Sequence, residues 1–286
     1  MLKLLLVAAA GLVIAGPAVA KPPVWVVRDG DSEMTLFGSI HVLPAKTDWR
    51  PQALDAAVAA ADDIWFELPV SGATEIETAR LAGQKGVLAP DQSLFVLLGP
   101  EDSARLTRLA QTHKVSTALL DRLQPWMAEV ALAAATFRTA GAEGAHGVER
   151  TLEAAARPRV QRRALETPDQ QLDYFAQAPM AEQLASLRQT MAAMETKPDD
   201  FSVLLSAWMA ADLGRLDREA LAPLRANQPA LFDRVVVQRN ERWLTELRRR
   251  LDGSGRTVVV VGVGHLLGAE GLPARLRALG YSVSGP

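Results

Sequence analysis

Cysteine is absent from all 286 residues. That removes disulfides, thiolate nucleophiles and thiolate metal ligands from consideration. A chain of this length can bury a large core without cross-links. An excess of charge of one sign is also missing. Lys and Arg number 31 against 33 Asp and Glu, for a formal net charge of −2, so there is no basic footprint for nucleic acid. Beyond the N-terminus no apolar run approaches the ~20 residues a membrane-spanning helix needs. Several catalytic signatures are lacking. Without G-x-S-x-G there is no nucleophile elbow, and without H-E-x-x-H no ordinary zincin. Neither a P-loop nor a G-x-G-x-x-G after a strand is present. Low-complexity tails and long linkers are absent too. Histidine is scarce, with four residues.

What is present begins with an address. Lys3 precedes an apolar run from Leu4 to Ile14, and the stretch closes on Ala18-Val19-Ala20, the A-x-A pattern of a cleavage site. The run is short for an anchor, so residues 1–20 read as a cleaved signal peptide. The expected product is a soluble exported chain, periplasmic or secreted, with residues 21–286 forming one domain.

Half of the composition is hydrophobic, at 49%, and alanine is abundant, which fits a globular, helix-rich chain. Residues 24–41 read as a hairpin, two β-prone runs joined at Asp29-Gly30-Asp31. Pro51 opens a helix over 51–61. Residues 62–69, DDIWFELP, read as a strand with Ile64, Phe66 and Leu68 on one side and Trp65 and Glu67 on the other. From about 73 to 250 the pattern is mainly helical, with one strand over 159–167. The uninterrupted apolar run TVVVVGVG at 257–264 predicts a strand covered on both faces. A short helix over 271–280 and a last strand, YSVS, follow.

Two stretches share one pattern. LFGSIH at 36–41 and VVGVGH at 260–265 each end a strand in Gly-x-x-His, followed by loop, helix and strand. The expected fold is therefore α/β, a mixed sheet built from two strand–Gly-x-x-His–helix–strand units with a large helical insertion between them. Ligands of open α/β sheets bind beyond the carboxyl ends of the strands. If both strands share a sheet, His41 and His265 converge there. A lone histidine after a strand is usually a turn residue or a satisfied polar group. Two copies of the pattern among four histidines favour function. His113 reads as a solvated helix end, and His146 lies in a Gly-rich turn.

Glu67 ends a strand of Ile, Trp, Phe and Leu, where a buried charge needs a partner or a metal. Two imidazoles and a carboxylate, His41, His265 and Glu67, make a common site for Zn²⁺, Mn²⁺, Co²⁺ or Fe²⁺. A metal with an open position activates a bound water. In the helix expected over 231–251, Phe232, Val235, Val236, Trp243, Leu247 and Leu251 trace an apolar stripe that Arg239 and Asn240 interrupt. Arg239 at such a place can clamp a substrate carboxylate, stabilise an oxyanion or pair with Glu67.

The chain resembles the TraB/GumN family, whose animal relatives include the Tiki metalloproteases. The resemblance runs almost end to end, through LFGSIHVLP (36–44), DDIWFELP (62–69), DRLQPWMAEVAL (121–132), ALETPDQQLDYF (164–175), RNERW (239–243) and VVVVGVGHLLGAEGLPARLRALGYSV (258–283). It implies a fold related to the erythromycin esterase and ChaN-like proteins, functional residues His41, Glu67, Arg239 and His265 and, for the Tiki branch, proteolysis with Mn²⁺ or Co²⁺. Members of the family often carry Gly-x-Asp where this chain has Gly147-Val148-Glu149, so Glu149 is a candidate member of the site. The resulting expectation is an exported metal-dependent hydrolase acting on a peptide or protein. His41, Glu67 and His265 would hold Mn, Co or Zn, Glu67 would be ligand or base, Arg239 would face the oxyanion, and Asn240 would order the site. A non-catalytic metal-, haem- or peptide-binding protein and a non-peptide esterase are the alternatives.

Overall fold

Strands β1 (Val24–Arg28) and β2 (Ser32–Ser39) pair antiparallel around the expected turn. Asp29 Oδ1 closes that turn by accepting the N–H groups of Asp31 and Ser32, the local bonding that makes Asp a turn residue. A two-residue strand, β3 (Leu43–Pro44), follows the first Gly-x-x-His. The helix Gln52–Ala60, preceded by Pro51, buries Leu54 and Val58 and leads to β4 (Asp63–Phe66). Within the helical region lie β5 (Ala142–Glu143), which pairs with β3, and β6 (Gln161–Ala164). After it come β7 (Gly255–Gly262), the helix Leu272–Ala278 and β8 (Ser282–Ser284).

The computed structural model describes residues 21–286, and the segment read as a signal peptide lies outside them. The fold is mixed α/β. Six strands form one sheet in the order β6-β4-β7-β2-β1-β8, the first four mutually parallel. After its helix the first Gly-x-x-His strand continues into β4, on the far side of β7. The second continues into β8, at the opposite edge beyond β1.

Strand β7 shows why its run is apolar without alternation. Val258 and Val260 join one core, with Phe37, Trp49, Leu54, Ile64, Phe66 and Trp208. Val259 and Val261 join the other, with Trp25, Leu36, Trp65, Trp243 and Leu247. Both faces of the strand are covered, as a strand inside a parallel sheet requires. The insertion builds a third core of its own from Leu94, Leu106, Leu132, Leu187 and Met191. Its last helical run reaches the second face of the sheet. That run contains a wide π turn at Asp233–Val237 directly before the helix Gln238–Leu251, the kind of irregularity that often accompanies a functional position.

Candidate functional site

The register of the four parallel strands sets the site. Ala164, Phe66, Val260 and Phe37 stand in one row across β6, β4, β7 and β2. Just beyond that row each strand delivers residues of the site: Glu166 after β6, Glu67 after β4, Gly262 at the end of β7 with His265 after it, and Ser39 at the end of β2 with His41 after it. His265 sits in a single 3₁₀ turn, Val263–Leu266.

The motif glycines stand at points of close approach, tightest at Gly38. A Cβ on Gly38 would lie 2.9 Å from the Cα of Val263, so the first Gly-x-x-His packs directly on the second. The N–H of Gly262 donates to Glu67 Oε1 at 2.6 Å. A Cβ there would lie 3.3 Å from Glu67 Oε1, 3.7 Å from His265 Cδ2 and 3.9 Å from His41 Nε2. The three side chains expected to meet therefore surround one point.

Arg239 joins them from the helix that crosses this end of the sheet. It and Asn240 are buried, at 7% and 0% exposure. Arg239 Nη2 donates to Glu67 Oε2 at 2.5 Å, and Nη1 donates to His265 Nε2 at 3.0 Å. On its other side, Nε and Nη2 bond the two oxygens of Glu166 at 2.9 and 3.0 Å. Its guanidinium also lies over Trp243, with 4.6 Å to the ring centre. Of the roles open to Arg239, the structure shows the pairing with Glu67. The fork is consumed by protein groups and presents no free face.

Asn240 fixes the tautomer of His265. Its Nδ2 donates to the carbonyls of His265 and Glu270, so its Oδ1 is the atom that accepts His265 Nδ1–H, at 2.8 Å. His265 Nε2 is then the bare nitrogen. Burial pushes the pKa of His265 down to about 3, against the pull of Glu67, so the ring is neutral. Glu67 goes the other way. Burial alone would raise it, but the charge of Arg239, followed by His265, His41 and the Gly262 N–H, holds it at about 2. Gln171 Nε2 adds a bond to its Oε2 at 3.1 Å.

His41 is held differently. Its Nδ1 donates to Glu149 Oε1 at 2.8 Å, and 62% of its side chain is accessible through the cavity it lines. The charge of Glu149 outweighs desolvation and lifts its pKa to about 9. Gly147 makes that pairing possible. A Cβ there would collide with the carbonyl oxygen of His41, and the N–H of Val148 bonds the carbonyl of Ile40 at 3.3 Å. This contact brings the start of the helix Val148–Ala155, and Glu149 with it, against the first Gly-x-x-His. The longer Glu in place of Asp still reaches the imidazole.

Sequence reasoning missed Glu166. It is buried, and it also accepts from Tyr174 Oη at 3.1 Å and Trp243 Nε1 at 3.0 Å. Burial raises its pKa in spite of Arg239. The rule that found Glu67, a carboxylate just past a strand, applies equally to Ala164-Leu165-Glu166. His146 stands exposed in a turn, and His113 caps the helix Pro100–Thr112.

Two buried carboxylates, a buried arginine and two strand-end histidines, on this sheet, coincide with a family match over residues 23–285. The chain belongs to the TraB/PrgY/gumN family. No curated protein and no solved structure matches it.

The family's implied metal is testable against these residues. Among the described residues no three His, Asp or Glu side chains already stand grouped for ligation. His265 Nε2 and Glu67 Oε1 are 3.9 Å apart, with Arg239 bonded to both residues. The residue types, two His and a Glu, are those a borderline divalent ion takes, and an ion there would replace the Arg239 Nη1 bond to His265 Nε2. Each imidazole has its Nδ1–H held by an oxygen, Glu149 for His41 and Asn240 for His265, the outer arrangement that orients metal-binding histidines.

Proposed function

We propose that this member of the TraB/PrgY/gumN family is an exported metal-dependent hydrolase that cleaves an amide bond, with peptides as its first substrate class. One observation carries the reading: His41 and His265 each have Nδ1 tied to an oxygen, and both rings stand with Glu67 around the space beside Gly262, His265 Nε2 accepting there from Arg239 Nη1. A divalent ion held by His41, His265 and Glu67 would supply a water of lowered pKa and a Lewis acid for the carbonyl.

The remaining roles belong to the chain. Glu149 keeps the His41 Nδ1 proton in place, and Asn240 does the same for His265. Glu67, held at about 2, is a weak base, so its geometry suits a ligand better than a proton acceptor. Arg239 is a positioning residue. It balances the charges of Glu67 and Glu166, and its donors are turned towards them rather than towards the cavity. A carbonyl entering from the cavity meets His41 first.

The completed Arg239 network also favours a second reading, a binding protein that performs no chemistry. Metal content of protein purified without chelator or affinity tag, paired with a peptide and ester panel, separates the two. Hydrolysis that disappears together with the metal in His41→Ala is the expected result. A wild-type protein loaded with Mn²⁺, Co²⁺ or Zn²⁺ that cleaves nothing would leave the binding reading.

A further inference from the structure

A cavity of about 900 Å³ opens from the site. Its inner end is formed by Ser39, His41 and Gly262, and its walls by the helices Pro100–Thr112, Pro125–Thr139, Met180–Thr196 and Asp200–Met209. Leu109, Phe137, Met194, Phe201, Leu204 and Leu216 make much of the lining. The lining threonines spend their hydroxyl protons on the protein. Thr112 donates to the Arg108 carbonyl, Thr136 to the Leu132 carbonyl and Thr190 to Glu129. The charges of Arg108 and Lys197 are matched by Glu195 and Glu219. His113 and Asp200 sit at helix ends. The wall's backbone groups are committed to its helices. The sheet contributes only the ends of β2 and β7, where Ser39 pairs with Gly262 and neither pairs with a further strand.

An extended peptide drawn in among these helices would strand most of its amide groups, because the helices' backbone is already bonded and, among the described residues, the lining's buried side-chain atoms without a partner are Ser39 Oγ and His113 Nδ1. A hydrocarbon chain needs no partner and gains by leaving water. We infer that the cavity receives a long acyl chain, and that the substrate is an N-acylated peptide or amine whose acyl carbonyl lies at His41. This rests on the hydrolase reading above for its chemistry but not for its binding. In the reaction water oxygen bonds to the acyl carbon, the C–N bond breaks, and the products are a fatty acid and an amine that takes up the proton.

The test has a binding arm and a turnover arm. In the first, a fluorescent C16 fatty acid is titrated into the purified protein and competed with saturated fatty acids of C8 to C16. Affinity should rise about fourfold per added methylene until the cavity is full. Ala193→Trp, on the cavity wall, should weaken the C16 probe tenfold or more. If that variant fails to fold, Ala133→Leu should shorten the longest chain accepted while leaving C8 unaffected. No dependence on chain length, or binding unchanged in a folded variant, overturns the acyl assignment. In the second arm, N-palmitoyl and N-acetyl forms of one dipeptide are compared with metal-loaded protein. A higher kcat/KM for the palmitoyl form is expected, and equal values overturn the acyl assignment alone. Chain-length-dependent binding with neither compound cleaved overturns the hydrolase reading alone.

Discussion

Removing Arg239 would leave Glu67 and Glu166 facing each other in a dry site with their shared cation gone. Breaking a buried pair from one side typically costs about 3–5 kcal/mol. Arg239→Ala should lose that order of stability in urea denaturation. Arg239→Lys should recover little of it, because lysine cannot bond Nε and Nη2 donors to two carboxylates at once. A variant as stable as wild type would show that the network contributes nothing. Gly147→Ala tests the other half of the site. The added methyl has no room against the His41 carbonyl, so a destabilisation near 3 kcal/mol is expected, with displacement of Glu149 from His41. The NMR titration of His41 should then fall from about 9 towards an ordinary histidine value. A Gly147→Ala protein with an unshifted His41 would break the link between them.

At the scale of elements, two carboxylates away from the site give opposite pH responses. Asp63 opens β4. Burial would raise its pKa, but bonds from Arg250, Thr257 and Trp65 hold it below the ordinary value. A depressed folded pKa adds stability above the unfolded value that is lost as pH falls through the folded one. Asp63→Asn should therefore flatten the acid side of the stability profile, and an unaltered acid side would count against the assignment. Glu129 lies between the helices Pro125–Thr139 and Met180–Thr196, where burial raises its pKa and the Thr190 and Ser186 hydroxyls only partly offset it. Its contribution is fully present below the unfolded pKa and is lost as pH rises through the folded one. Glu129→Gln should be more stable than wild type at neutral pH and equal to it in acid, measured by thermal unfolding at both. The elements themselves were largely readable. The hairpin turn, the strand at 161–164 and the doubly covered β7 follow from turn chemistry and from apolar patterning. The π turn before Arg239 was not readable, because it depends on which helix face must meet the end of the sheet.

For the whole molecule, the export proposed above predicts an N-terminus at or near Lys21. Intact-mass measurement of the exported protein checks this directly, and a retained Met1 would remove the assignment. The sequence by itself determined a mixed α/β chain, its two Gly-x-x-His strand ends, its family, and Glu67, Arg239 and Asn240 as anomalies in apolar surroundings. Those features are local, since each is a departure from a periodicity of two or 3.6 residues and is visible within a few positions. Only the tertiary structure decided how the anomalies pair. Glu166 joined Arg239 because β6 lies beside β4, and Glu149 joined His41 because Gly147 lets a helix start touch the first histidine loop. Arg239 turned inward to two carboxylates for the same reason. Which charges meet is fixed by strand order and register, and those arise from contacts between residues far apart in the chain.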